Sequence, residues 1–147
     1  MKINLIEDPM LAETEILIRC PSMQGDVREI VAALNLVGNT VAGQQGEDTC
    51  FVYLGEVLYF ESVDDRVFFY TAEGTYETPS KLYQIEEKLK PTSFVRISKS
   101  TIVNLRRVTK MRREKNSRLL VTLSTGEFLV VSRQYMPAIK EKLEVLI

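Results

Sequence analysis

Between residues 2 and 20 the apolar positions alternate. Ile3 and Leu5, then Ile16, Ile18 and Cys20, fall on every second residue, the period of a strand with one covered face. Two short strands, over residues 2–6 and 15–20, are therefore predicted to pair. The period then changes. Val27, Ile30, Val31 and Leu34 follow at i, i+3, i+4 and i+7, one face of a helix. Asp26 is expected to cap it, with Glu29 reaching back, and Gly38 to end it. The stripe is expected to pack on the two strands or to meet a second copy.

The polar, glycine-containing stretch from Gly43 to Asp48 reads as a boundary, dividing an extension at 1–43 from a domain at 44–147. Beyond it come short runs rich in Val, Tyr, Phe and Thr: Phe51 to Leu54, Glu56 to Ser62, Val67 to Ala72 and Tyr76 to Thr78. Gly55, Asp64-Asp65 and Glu73-Gly74 split them, as turns split an antiparallel sheet. A helix is predicted from about Ser80, since Leu82, Ile85 and Leu89 share a face and Pro91 stops it. Further strands are expected over Phe94 to Ile97, Ser100 to Leu105, Val108 to Met111 and Arg118 to Ser124, then a hairpin at Thr125-Gly126 and a strand to Ser132. A bend or bulge near Arg96 is expected, because Phe94 and Ile97 do not share one strand face. A last helix carries Tyr135, Ile139 and Leu143 on one stripe, with Pro137 placed in its first turn. The fold class is mainly β with small α additions, preceded by a short ββα extension. The pattern alone does not choose among sandwich, barrel and rolled sheet.

Charge adds what the pattern cannot. From Arg96 to Arg118 there are nine basic residues and one acidic residue, a net charge of +8, whereas residues 1–65 hold twelve acidic residues against three basic ones, a net −9. The whole chain carries −1. With a Debye length of about 8 Å at physiological ionic strength, a polyanion at the basic segment scarcely senses a distant acidic end. Local field, and not net charge, bears on partners. From charge alone the basic hairpin reads as a solvated sheet edge, as a nucleic-acid surface, or as a surface for an acidic protein or membrane.

Composition bounds the rest. A chain of 147 residues, 45% hydrophobic and 27% charged, has the profile of a soluble globular protein with a real core. There is no signal-peptide core and no run of about 18 apolar residues that would cross a bilayer, so a cytoplasmic location is expected. Cys20 and Cys50 read as small core residues. The absence of histidine removes the commonest general base and the histidine-dependent nucleophile and zinc systems. No GxxxxGK phosphate loop is present, and Glu56 and Glu61 do not define a carboxylate pocket. No enzymatic activity, cofactor or metal is expected.

Four blocks in order carry a specific likeness: Tyr59-Phe60-Glu61-Ser62, the helix around Leu82 to Leu89, Phe94-Val95-Arg96-Ile97-Ser98-Lys99-Ser100-Thr101-Ile102-Val103-Asn104, and Val131-Ser132-Arg133-Gln134-Tyr135. Over roughly Glu47 to Ile147 the chain resembles the LytTR family of bacterial transcription regulators. The resemblance implies a β-β-β fold of antiparallel sheets whose loops, and not a recognition helix, enter the major groove of promoter DNA at imperfect direct repeats. It places DNA contacts on Arg66 in the loop Asp64 to Arg66, on Ser98 and Lys99, and on Arg133. Arg96 and Asn104 also match motif positions, although Asn104 has the alternative of tying strand to loop through its side chain. Arg106, Arg107, Arg112, Arg113 and Lys115 are the candidates for phosphate. Asp64 and Asp65 depart from what a DNA-facing loop prefers. The first 45 or so residues are too few for a receiver domain, and resemble instead the short N-terminus of stand-alone regulators of this kind, which suggests a homodimer or docking to a small restraining membrane protein. The competing reading is a protein-interaction module whose basic hairpin holds an acidic partner.

Overall fold

The structure, a computed structural model, describes residues 1–34 and 39–146. Helix α1 spans Asp26–Leu34, and then ten strands and two helices follow: β1 Thr40–Gln45, β2 Asp48–Tyr53, β3 Tyr59–Val63, β4 Arg66–Tyr70, β5 Thr75–Thr78, α2 Leu82–Lys88, β6 Phe94–Arg96, β7 Thr101–Asn104, β8 Val108–Arg113, β9 Leu119–Leu123, β10 Phe128–Val131 and α3 Met136–Leu146. All strand pairs are antiparallel. They make a seven-stranded sheet, β2-β1-β5-β4-β3-β7-β6, and a three-stranded sheet, β10-β9-β8. The mainly β expectation holds, with helices where the 3.6-residue pattern put them.

Each face of the larger sheet is covered, which decides the burial pattern. On one side Phe60, Phe69, Phe94 and Ile102 pack with Leu82, Ile85 and Leu89 of α2. On the other, Tyr59, Val95, Ile97 and Val103 pack with Val121, Leu123 and Val131 of the smaller sheet and Ile139 of α3. Strand β7 lies between these layers, and all four of its residues are buried. Alternate residues of β6 serve the two cores in turn, Phe94 the first, Val95 the second. No bulge near Arg96 is needed: Phe94, Val95 and Arg96 pair in even register with Asn104, Val103 and Ile102. The irregularity lies instead between Val108 and Lys110 in β8, where an extra residue lets Val108 and Met111 both face the core.

The two sheets are also joined by a polar contact. The Tyr59 hydroxyl donates to Glu127 at 2.9 Å, and its ring stacks on Tyr70 at 4.5 Å. Burial, then the Glu127 hydrogen bond, raises the Tyr59 phenol above its ordinary value; burial, then the Glu61 charge, pushes Tyr70 up to about 12. Pro137 is the second residue of α3, where its missing N–H costs nothing. Lys142 of α3 donates to the Thr92 carbonyl at 2.6 Å and to that of Lys90, fastening α3 to the segment between α2 and β6. Burial holds this ammonium below the ordinary lysine value.

Other expectations fail as well. Residues 2–6 and 15–20 form no strands; they have no regular structure and are exposed except for the half-buried Ile18 and Cys20, since an isolated two-stranded ribbon is marginal in water and no sheet edge of the same chain pairs with them. Helix α1 therefore packs beside α3 and not on those strands. It starts at Asp26 itself, with Gly25, at φ 72°, in the cap place and its carbonyl accepting from Arg28 N. The expected terminator, Gly38, lies outside the described residues. Finally, Gly43 to Asp48 is a hairpin: β1 and β2 pair from Thr40↔Tyr53 to Gln45↔Asp48, so the expected boundary at residue 43 falls inside β1.

Gly43 itself has a packing reason. A Cβ there would sit 2.5 Å from the Phe69 ring and 2.7 Å from Tyr76 Cβ. Gly43→Ala should therefore destabilise by about 1–3 kcal/mol, the cost of overpacking, read as a lower urea midpoint with unchanged slope.

Candidate nucleic-acid interface

Three chain reversals meet at one end of the larger sheet. The first joins β3 to β4. Val63 pairs with Arg66, leaving Asp64 and Asp65 as a two-residue loop with φ of 51° and 64°. Two consecutive left-handed residues are the signature of a type I′ hairpin, which matches the twist of its strands. Aspartate tolerates that conformation better than most residues. Turn chemistry thus accounts for the acidic pair that departs from a DNA-facing pattern.

The second reversal is Ser98-Lys99-Ser100, closed by Ile97 N donating to Thr101 O at 3.0 Å. Inside it Ser98 Oγ accepts from Ser100 N at 3.2 Å. Arg96 lies beneath, its side chain 20% exposed. Its guanidinium donates to Ser98 O at 3.0 Å, to Lys99 O, and at 3.1 Å to the Glu86 carboxylate on α2. Lys99 is left exposed at the apex. The third reversal follows β10, where Ser132 begins a 3-10 turn, Arg133–Tyr135, leading into α3, and Arg133 is exposed.

Two backbone bonds stitch these reversals together. Ser62 N donates to Ser100 O and Ser132 N donates to Ile97 O, each at 2.8 Å. Lys99 and Arg133 are therefore neighbours on one surface. The basic hairpin joins them through sheet register: Val131 pairs with Leu119, and Leu119 with Arg113, so the β8–β9 tip lies at the same end as Arg133. Arg112, Arg113, Lys115 and Arg118 are all exposed there, with Arg112 3.3 Å from Glu114.

The other expected contact residues are placed differently. Asn104 is fully buried: its Oδ1 accepts from Ser93 Oγ at 2.8 Å and Arg106 N at 3.2 Å, and its Nδ2 donates to Val57 O at 3.0 Å. It cannot reach DNA and is corrected to a structural tie. Arg106 and Arg107 sit at the far end of β7, about four residues or 13 Å from the Ser98–Ser100 reversal. Arg106 donates to Glu29 O at 3.2 Å and Arg107 to Gly55 O at 2.8 Å, so both are fastened to the scaffold and leave the phosphate set. Arg66 is at the right end, but its fork grips Glu77 of β5, with Nε to Oε1 at 2.9 Å. That mutual bond holds the Glu77 carboxyl below its ordinary range and Arg66 above its own. Glu77 and Glu86, which hold Arg66 and Arg96, were not among the expected residues. Only the surplus of basic groups opposite them in the fold reveals them, and that requires the strand order.

Residues 47–144 match the family described as the LytTr DNA-binding domain. The chain belongs to this family, a class of DNA-binding transcription regulators. An uncharacterized HTH-type transcriptional regulator of Staphylococcus aureus is 30% identical over 147 residues, covering 99% of each chain, and a counterpart in another strain of that organism is 29% identical over the same length. Among solved structures, the LytTr DNA-binding domain of a putative methyl-accepting/DNA response regulator from Bacillus cereus superposes with a TM-score of 0.67 at 25% identity, covering 71% of this chain and 95% of that one. Among the described residues no two α-helices are joined by a short turn, and the basic rim is built from the connections that follow β3, β6, β8 and β10. No helix among them is long and apolar enough to cross a membrane.

Asn104→Ala should cost about 1–3 kcal/mol for each buried group it leaves unpaired. The same variant, assayed where it remains folded, should keep the base preference of DNA binding unchanged; a preference relaxed at one base pair would return Asn104 to the interface.

Proposed function

We propose that this chain is a sequence-specific regulator that binds promoter DNA by inserting its strand-linking turns into the major groove. The observation that carries this reading is the gathering of Lys99 and Arg133 on one surface by the Ile97–Ser132 and Ser62–Ser100 backbone bonds, flanked by the exposed cations of the β8–β9 tip. Arg133 offers a planar fork suited to a guanine edge, and Lys99 a point charge for an acceptor or phosphate. Ser98 shapes the turn that presents Lys99 and has a hydroxyl within reach of the same groove. Arg66 joins the contact set only on leaving Glu77. Arg112, Arg113 and Lys115 are phosphate ligands, positioning the protein without reading sequence. By resemblance to the family, the target is an imperfect direct repeat occupied by two copies on one face of the duplex.

Selection of bound fragments from the host genome tests this directly: a recovered repeat supports the reading, and recovery of random DNA sinks it. On the recovered site Arg133→Ala should lose about 1–3 kcal/mol and relax preference at one base pair. Arg112→Ala or Lys115→Ala should weaken all sequences alike and reduce the slope of log affinity against log salt by about 0.9 each, whereas Arg106→Ala should leave that slope intact. Asp64→Asn with Asp65→Gly preserves the type I′ turn and removes two negative charges from the rim. All duplexes should then bind roughly two- to fivefold tighter at low salt, an advantage that fades as salt is raised.

A further inference from the structure

The exposed N-terminal arm and a groove beside α1 have matching chemistry. The groove, of about 730 Å³, runs between α1, the segment joining α2 to β6, and α3. Its apolar lining comes from Val27, Val31, Phe94, Val95, Tyr135 and Ala138. One wall is β6, the last strand of the larger sheet. Because Ile97 N donates to Thr101 O, the hydrogen-bonded pairs of β6 and β7 are Ile97/Thr101 and Val95/Val103. The Phe94 N–H is taken by Thr92 Oγ1 at 3.2 Å, so the Phe94 carbonyl and the Arg96 backbone groups are those aimed toward the outer edge, the arrangement to which a short added strand pairs.

The arm supplies such a strand. Glu15-Ile16-Leu17-Ile18-Arg19-Cys20 has Ile16, Ile18 and Cys20 on one face, yet Ile16 is 63% and Leu17 85% exposed. An apolar run of this kind in water is a binding segment awaiting a surface. Charge agrees. Residues 1–24 carry four acidic groups and two basic ones, whereas the groove rim has Arg28, Lys90, Arg96 and Lys142 against Glu86 and Glu141.

We propose that the arm of one copy enters the groove of a second copy, residues 15–20 adding a strand to β6, so that two chains exchange arms. The regulator reading gives this pairing a use, bringing two basic rims together for a repeat, but the exchange stands or falls on its own test. It also sets the arm against Arg96, the residue that braces the Lys99 turn.

Mixing two variants decides it. One carries Cys50→Ser and keeps Cys20; the other carries Cys20→Ser, Cys50→Ser and Ala138→Cys. A disulfide can then form only between copies, and a covalent heterodimer is expected under mild oxidation. In sedimentation, Ile16→Asp with Ile18→Asp in the arm, or Val31→Glu on the groove wall, should raise the dimer dissociation constant at least about tenfold. Binding to one isolated half-site should stay within about twofold. A folded pair that never cross-links, a dimer indifferent to these changes, or an unmodified chain monomeric at all concentrations would each overturn the exchange, the last leaving the arm for its own groove or another protein. Loss of half-site binding by the unmodified chain would instead count against the DNA reading alone.

Discussion

The Asn104 carboxamide holds together three connections that would otherwise be independent. It accepts from Ser93 before β6, donates to Val57 before β3, and accepts from Arg106 in the turn toward β8. All these bonds lie at one end of β7; those to Ser93 and Val57 are buried, and leaving either unmade would strand a buried polar group. With that end fixed, β7 runs between two apolar layers and delivers its other end, the Ser98–Ser100 reversal, at a set height and angle. The rim inherits its geometry from a tie on the opposite side of the molecule.

A rim of this kind differs physically from a recognition helix. A helix presents its side chains along one rigid rod. Here three reversals from distant parts of the chain are brought level by sheet register and stitched by main-chain bonds, and each offers one or two side chains. Positive charge is not spread evenly over them. Arg66, Arg96 and Arg112 are engaged by Glu77, Glu86 and Glu114, so among the described residues the rim charge presented without a carboxylate partner is that of Lys99, Arg113, Lys115, Arg118 and Arg133.

Much of this was legible in the residues. Period-two runs punctuated by Gly and Asp marked nearly every strand from residue 51 onward, and Leu82, Ile85 and Leu89 marked α2, because each element packs on the core its own pattern predicts. What failed has a common cause. The strands over 2–6 and 15–20 have the right alternation, but alternation reports a face to be covered and not what covers it. Gly43 looked like a linker residue because its real constraint, the Phe69 ring, is 26 positions away. Arg106 and Arg107 looked like phosphate ligands because a run of cations reads as one patch, until the length of β8 carries its beginning and its end to opposite poles. Arg96 seemed to need a bulge only while one covered sheet face was assumed; with two, every residue of β6 has a destination.

The stitches Ser62–Ser100 and Ser132–Ile97 are made by amide and carbonyl groups that every residue except proline possesses. These stitches are consequently indifferent to which side chains stand at positions 99 and 133, while Arg96 and Ser98 brace the turn between β6 and β7. Lys99 or Arg133 can be exchanged during divergence without loosening the reversals that display them, so the chemistry of this rim can vary by single steps, each passing through a folded molecule.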